Sequence, residues 1–212
     1  MITFLYCFSK KLRLSSRKSR QNIVDFFYLL CFIINHIKVE RQNYSMELEL
    51  IKNSKTKKIG KNIVYFQELE STQEYAKEIV ENEKIDGIIV ITDNQTKGKG
   101  TKGRSWIANA NENITMTIIL KLNWEVSKLE GLTLKIAEEI QKAIKELYGY
   151  NLIIKEPNDL LLNNKKICGI LIQSSIISNK VNYILIGIGF NVNQVEYDEE
   201  LRGNSHIIKE RI

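Results

Sequence analysis

From residue 61 onward the chain alternates between two hydrophobic periods. Residues 61–67, K-N-I-V-Y-F-Q, are β-branched and aromatic and predict a strand. In E-S-T-Q-E-Y-A-K-E-I-V, which follows shortly, Ser71 stands three residues before Glu74, the spacing of a capping box, and Tyr75, Ile79 and Val80 share one face. That pattern predicts a helix whose free N–H groups face a short polar turn. Residues 87–93 and 114–121 are continuous apolar runs and predict two more strands. Leu129, Leu132, Ile136, Ile140, Ala143, Ile144 and Leu147 recur at helical spacing, and Gly149 sits where a terminating glycine belongs. Four further runs, 152–155, 159–162, 166–173 and 182–192, predict strands joined by turns such as Asn163-Asn164. Seven strands and two main helices, mostly linked by turns too short for crossovers, predict an α+β fold: a mixed, largely antiparallel sheet with helices packed on it.

Composition narrows the chemistry. With 212 residues, 43% of them apolar, the chain can bury one full core, and a single globular domain is expected. The formal charge is +6, but residues 1–45 hold eight Lys and Arg against Asp25 and Glu40, so the remainder is balanced. The basic excess therefore belongs to an N-terminal extension and does not mark the main domain as a polyanion binder. The extension's apolar run, about 15 residues interrupted by Asp25 and Asn35, is short of the roughly 20 that span a bilayer. Three readings stay open for it: a transit-like or membrane-associating segment, a helix packed on the domain, or sequence upstream of a start at Met46. No two-helix pattern with a glycine turn suggests a DNA reader. Cys7, Cys31 and Cys168 form no C-x-x-C pair, and His36 and His206 lie in no base-like motif. Zinc sites, disulfide frameworks and His-activated nucleophiles are thus disfavoured, and a reducing, cytoplasmic setting fits.

Four stretches remain as candidate chemistry. Ser71, Thr72 and Gln73 open the first helix, where hydroxyls and N–H groups can hold a polar ligand or merely cap. Q-T-K-G-K-G-T-K-G-R-S-W, residues 95–106, carries three glycines, four cations and no acid. Its Gly98-x-Gly100-x-x-Gly103 matches a dinucleotide-binding turn by letter only, because no helical pattern follows Gly103. Pro157, the single proline, lies in K-E-P-N-D beside Asn158 and Asp159; it fixes a turn that aims an amide and a carboxylate at one point, or whose polar side chains simply cap their own backbone. Finally, Gly169, Gly187 and Gly189 interrupt apolar strands, marking close approach to the backbone, and Lys166 on an otherwise buried run needs an anion or points to solvent.

In this order and at these separations, E-S-T-Q, Q-T-K-G-K-G-T-K-G-R-S-W, K-E-P-N-D, K-I-C-G-I-L and G-I-G-F-N-V-N resemble the motifs of biotin protein ligases over residues 61–193. The resemblance implies a catalytic domain of the class II synthetase and biotin ligase kind within 46–212, without the further helix and small β domain with which the family continues. It implies biotin and ATP with Mg²⁺, formation of biotinyl-5′-AMP, and transfer of biotin to a lysine of a carboxyl-carrier domain. By position, Ser71, Thr72, Gln73 and Gln95 would hold the ureido end of biotin. Lys99, Gly100 and Thr101 would contact biotin and adenylate, and Gly169, Gly187 and Gly189 would form the pocket. Lys166 and Lys99 would be the catalytic cations. Lys102, Arg104, Trp106, Lys155, Asn158, Asp159 and Asn191 would join Lys99 and Thr101 around the nucleotide, with Asp159 near the Mg²⁺ that ATP brings. The chemistry agrees: joining a carboxylate to a phosphate brings two anions together, so fixed cations and amides matter more than a nucleophile.

Two letters depart from the family pattern. Glu156 replaces a tryptophan, placing a carboxylate where ATP is expected, and Thr101 stands where many members have an arginine, which removes a fixed cation at the phosphate unless Lys102 or Arg104 substitutes. A lipoate or octanoyl ligase of the same fold and a non-catalytic biotin binder are the rival readings. No nucleic-acid partner is expected. The oligomeric state stays open, a homodimer being one option.

Overall fold

The computed structural model describes residues 59–60, 62–81 and 85–192. The expectations about residues 1–45, a start at Met46 and anything after Val192 lie outside the described residues, as does Lys61. All seven anticipated strands are present: β1 (Ile63–Leu69), β2 (Ile89–Gln95), β5 (Asn113–Glu125), β6 (Ile153–Lys155), β7 (Asp159–Leu162), β8 (Lys165–Ile177) and β9 (Lys180–Asn191). They form one sheet in the order β1-β2-β5-β9-β8-β7-β6. Only β1 and β2 run parallel, with helix α1 (Thr72–Ile79) in the connection between them; the other neighbours are antiparallel. The sheet is mixed and largely antiparallel, as the periodicity requires.

Three differences from the expected boundaries have local causes. First, β5, β8 and β9 outrun their apolar cores, because polar residues at their ends still pair through the backbone. Their two-residue turns, Asn163-Asn164 and Ser178-Asn179, all have positive φ, as tight hairpins demand. Second, helix α2 (Leu132–Tyr148) begins three residues later than Leu129, which closes a separate 3-10 turn, Val126–Leu129. Gly131 at φ 67° breaks the path between them, and Gly149 at φ 73° ends α2 where expected, its N–H donating to the Lys145 carbonyl. Third, the basic segment is no open loop: β3 (Gly98–Lys99) pairs with β4 (Ser105–Trp106) around a 3-10 turn at Thr101–Gly103.

Strand alternation divides the sheet into two faces. Ile89 and Ile91, Ile114, Met116 and Ile118, and Ile184, Ile186, Ile188 and Phe190 point to one side and pack with Ile136, Ile140 and Ile144 of α2 as the main core. On the other side Val90, Ile119 and Leu185 pack under Ala76 and Val80 of α1. Residues of that second face further along the strands are Thr115, Thr117, Gly187 and Gly189, too small to fill a layer. The space above them is the cleft. Among the described residues, no helix is long and apolar enough to cross a membrane.

Candidate active site

The cleft has a volume of about 340 Å³ and lies between the N-terminus of α1, the β3–β4 hairpin and the open part of the sheet. In register, Gly187 stands between Thr117 and Leu171, and Gly189 between Thr115 and Gly169. A Cβ at Gly187 would come within 2.7 Å of Gln73 Oε1, and one at Gly189 within 2.2 Å of Trp106 Cε2. Both glycines thus exist for close approach. Being two residues apart on one strand, they are separated by roughly 7 Å. The cleft therefore has two ends.

The Gly187 end is neutral and polar. Gln95 Oε1 accepts from the Thr72 N–H at 2.9 Å and lies 3.2 Å from the Thr72 hydroxyl. The Thr117 hydroxyl is 3.0 Å from both Thr72 Oγ1 and Gln73 Oε1. Gln73 Nε2 donates to Gln173 Oε1 at 3.2 Å and to the Leu185 carbonyl at 3.5 Å. Ser71 caps α1, its Oγ accepting from the Glu74 N–H at 3.4 Å, so its own hydroxyl proton is left for another acceptor. Ser71, Thr72, Gln73, Gln95 and Thr117 are all buried. Burying so many hydroxyls and amides is costly unless they are paired, and here they pair with one another.

The Gly189 end is charged. Among the described residues Lys99, Arg104, Lys155 and Lys166 line it, against one carboxylate, Asp159. Lys166 Nζ lies 2.8 Å from Asp159 Oδ1, with the side chains 30% and 16% exposed. The separation is that of an ion pair. The Lys166 ammonium also sits 5.5 Å from the Trp106 ring centroid, a cation–π distance. Simple alternation would send Lys166 to the same side as Cys168, which faces the core. A β-bulge prevents this: Leu160 pairs with Cys168 but Leu161 pairs with Lys166, leaving Ile167 as an extra residue. Ile167 and Cys168 are consecutive and both fully buried in the core, and Lys166 emerges on the cleft side.

The cleft wall brings together nearly every residue singled out in the sequence: Ser71, Thr72, Gln73, Gln95, Lys99, Gly100, Thr101, Arg104, Trp106, Lys155, Asn158, Asp159, Lys166, Gly169, Gly187 and Gly189. Two are not on it. Lys102 adopts φ 57° at the hairpin turn, is exposed and does not line the cavity. Asn191 is buried at the end of β9 with no partner for Oδ1 among the described residues, on the same face as Gly189 but outside the lining.

The departures from the family pattern also acquire positions. Arg104 Nη2 donates to Thr101 Oγ1 at 2.9 Å and Nε to the Thr101 carbonyl at 3.2 Å, so a guanidinium stands beside the threonine. Glu156 is exposed and does not line the cavity. Lys97, part of the basic run, instead pairs with Glu70 at 2.6 Å on the surface. Asn158 is committed partly to the fold, Nδ2 donating to the Ile170 carbonyl at 3.2 Å.

Sequence reasoning missed Thr115 and Thr117. Their period-two placement in N-I-T-M-T-I-I-L identifies the face they share, but not that glycines lie opposite them. Among the described residues no three His, Cys, Asp or Glu side chains gather as a metal site, and burial pushes the Cys168 thiol up, away from thiolate chemistry.

The model of the biotin/lipoate A/B protein ligase family matches residues 63–191. The bifunctional ligase/repressor BirA of Bacillus subtilis is 35% identical over 158 residues, which are 74% of this chain and 49% of that protein. A biotin–[acetyl-CoA-carboxylase] ligase of Paracoccus denitrificans is 33% identical over 105 residues, 49% of this chain and 43% of that one. Among solved structures, the biotin protein ligase of Aquifex aeolicus in complex with biotin and ATP superposes with a TM-score of 0.57 at 29% identity, covering 69% of this chain and 59% of that chain. The chain spans about half the length of the curated bacterial relatives it matches.

Proposed function

The chain belongs to the biotin/lipoate A/B protein ligase family, and from that premise we propose that it activates biotin with ATP and passes the biotinyl group to a carrier lysine. The observation that carries this reading is the two-ended cleft, with a buried cluster of hydroxyls and amides at Gly187 and four cations with one carboxylate at Gly189. A ureido ring offers both N–H donors and a carbonyl acceptor and suits the first end. A carboxylate meeting a polyphosphate suits the second.

In the first step a biotin carboxylate oxygen attacks the α-phosphorus of ATP. The new bond is the C(O)–O–P linkage of an acyl-adenylate; the bond broken joins the α-phosphorus to the bridging oxygen, which leaves with its electron pair as pyrophosphate. Two anions must approach, so the residues' task is charge compensation and alignment. Lys166, turned into the cleft by the bulge, is assigned to the carboxylate and α-phosphate. Lys99 and Arg104, carried on the hairpin, and Lys155 are assigned to the phosphates, with Trp106 and Asn158 beside the nucleotide. In the second step the neutral ε-amine of a carrier lysine attacks the acyl carbon, AMP leaves, and the amine gives up a proton as the amide forms. A biotin carboxyl-carrier domain of the acetyl-CoA carboxylase type is the proposed acceptor, by analogy with the Paracoccus denitrificans relative.

Mg²⁺ enters with ATP as part of the substrate. Among the described residues Asp159 is the one carboxylate on the cavity wall and is already paired with Lys166, so these residues supply at most one anionic ligand beside the phosphates. The buried free thiol of Cys168 suits a reducing compartment, and we place the reaction in the cytoplasm. Pyrophosphate release should depend on MgATP and biotin, followed by biotin incorporation into a carrier domain. Release with lipoate and none with biotin would overturn this reading in favour of the other branch of the family. Tight biotin binding without release would make the chain a binder only.

A further inference from the structure

Thr117 belongs to no sequence motif, yet it sits at the centre of the neutral end. It is fully buried, lies opposite Gly187 on β5, and its hydroxyl is 3.0 Å from both Thr72 Oγ1 and Gln73 Oε1. Counting protons shows what this arrangement does. Three oxygen–oxygen contacts run in a chain: Gln95 Oε1 to Thr72 Oγ1, Thr72 Oγ1 to Thr117 Oγ1, and Thr117 Oγ1 to Gln73 Oε1. The two hydroxyls supply two protons, and amide oxygens supply none. The Gln73 amide cannot rotate to help, because the atom 3.5 Å from the Leu185 carbonyl must be a donor, which keeps Nε2 there and Oε1 toward Thr117. This run of three contacts is therefore short by one proton, and with the Thr72 N–H already given to Gln95 Oε1 it keeps lone pairs that can accept from a ligand.

We propose that Thr117 is a positioning residue that sets ligand choice: by holding Thr72 and Gln73 in an acceptor-rich cluster, it makes this end of the cleft require a ligand N–H. The inference rests on the biotin reading above and deepens it. A ureido group carries N–H donors, whereas the dithiolane of lipoate and the alkyl chain of octanoate carry none. Those acids cannot use the lone pairs left over in the cluster, so discrimination arises from hydrogen bonds that a ureido group makes and they do not, as well as from shape. Gln73, whose Nε2 and Oε1 both have protein partners, acts here as a brace, and Thr72 and Gln95 are the groups left to meet the ligand.

The test uses the full chain and calorimetric titration with biotin, with a cyclic carbamate analogue in which a ureido N–H is replaced by oxygen, and with octanoate. Thr117→Val keeps the shape and removes the hydroxyl; Thr117→Ser keeps the hydroxyl. Removing one buried hydrogen bond should raise the Kd for biotin about tenfold in Thr117→Val. Thr117→Ser should stay within about threefold of wild type, a smaller loss than one hydrogen bond. The KM for biotin should rise in the valine variant while kcat and the KM for ATP hold, and the preference for biotin over octanoate should shrink.

The ligand-side arm needs no variant: wild type should bind the carbamate more weakly than biotin, and the valine variant should distinguish the two less. Equal affinity of wild type for biotin and carbamate overturns the inference alone, as does a serine variant as weak as the valine one. Failure of wild type to bind biotin at all overturns the proposed function and this inference together.

Discussion

Replacing Lys166 by methionine tests the charged end of the cleft most directly. Methionine preserves much of the unbranched stem that lies along Gly169, whose Cβ, if present, would touch Lys166 Cε at 3.3 Å. What is lost is one of four cations facing a single carboxylate, the one paired with Asp159 at 2.8 Å. Two effects add. The developing negative charge at the reacting oxygens loses a preorganised donor, a change that typically costs about 10²–10³-fold in rate, or roughly 3–4 kcal/mol. Asp159 is also released as a bare carboxylate beside the incoming phosphate. The expected result is a fall of about 10²–10³-fold in kcat/KM for biotin-dependent pyrophosphate release, with the fold intact by circular dichroism.

A second substitution separates the two effects. Adding Asp159→Asn to Lys166→Met removes the unpaired charge and should recover about tenfold, because the remaining penalty is the missing donor alone. Biotinol, which lacks the carboxylate, should bind the Lys166→Met variant as it binds wild type. If Lys166→Met releases pyrophosphate within threefold of the wild-type rate, the assignment of this end to the reacting anions is wrong. Weakened biotinol binding would show instead that the substitution had damaged the pocket's shape.

The hairpin should be intolerant of Gly98→Ala, since the new Cβ would lie 2.2 Å from the Trp106 carbonyl oxygen, a backbone atom. Overpacking of this kind costs about 1–3 kcal/mol, and a thermal melt with unchanged Tm would contradict it. Glu139 is almost fully buried on α2, and desolvation raises its pKa despite the Lys142 partner 2.6 Å away. A carboxyl raised in the fold contributes stability in acid that is lost as pH rises through the folded value. Glu139→Gln should therefore raise Tm at neutral pH, and a lower Tm would show that the Lys142 pair outweighs burial. Burial and then the bond to Asp93 Oδ2 push the Tyr65 phenol up to about 12. Because the unfolded phenol ionises near 10, stability should fall between about pH 10 and 12. Tyr65→Phe should flatten that limb; an unchanged alkaline profile would refute the assignment.

Much of the site was legible because its chemistry resides in short segments whose residue types are unusual where they stand. Three glycines within apolar strands, a polar helix start and the one proline each announce a local constraint that holds in any fold. The sheet was legible for the same reason, since β-branched alternation is local. What was hidden depends on contact between distant segments. Thr117 reads as an ordinary strand threonine until Gly187, Thr72 and Gln73 converge on it. Lys102 and Arg104 look equivalent in sequence, and only the positive φ at Lys102 and the bonds from Arg104 to Thr101 decide which cation faces the cavity. The hairpin pairing of Gly98 with Trp106 spans residues that carry no strand pattern, so it too required coordinates.

The extra residue at Ile167 gives β8 a reading frame. Residues on its N-terminal side are in one phase and those on its C-terminal side in the other, and Lys166 stands at the point where the frame changes. Lengthening the Asn163-Asn164 turn would leave every side chain downstream on its present face. Deleting Ile167 would remove the bulge and still leave Lys166, then adjacent to the core-facing Cys168, on the cleft side, whereas a regular ladder that kept Ile167 would turn the cation into the core. A comparison of relatives that places a gap at this strand by residue similarity alone can therefore align lysines that face opposite sides of the sheet. Counting phase across residues 165–169 distinguishes a lysine that faces the cleft from one that only shares its letter.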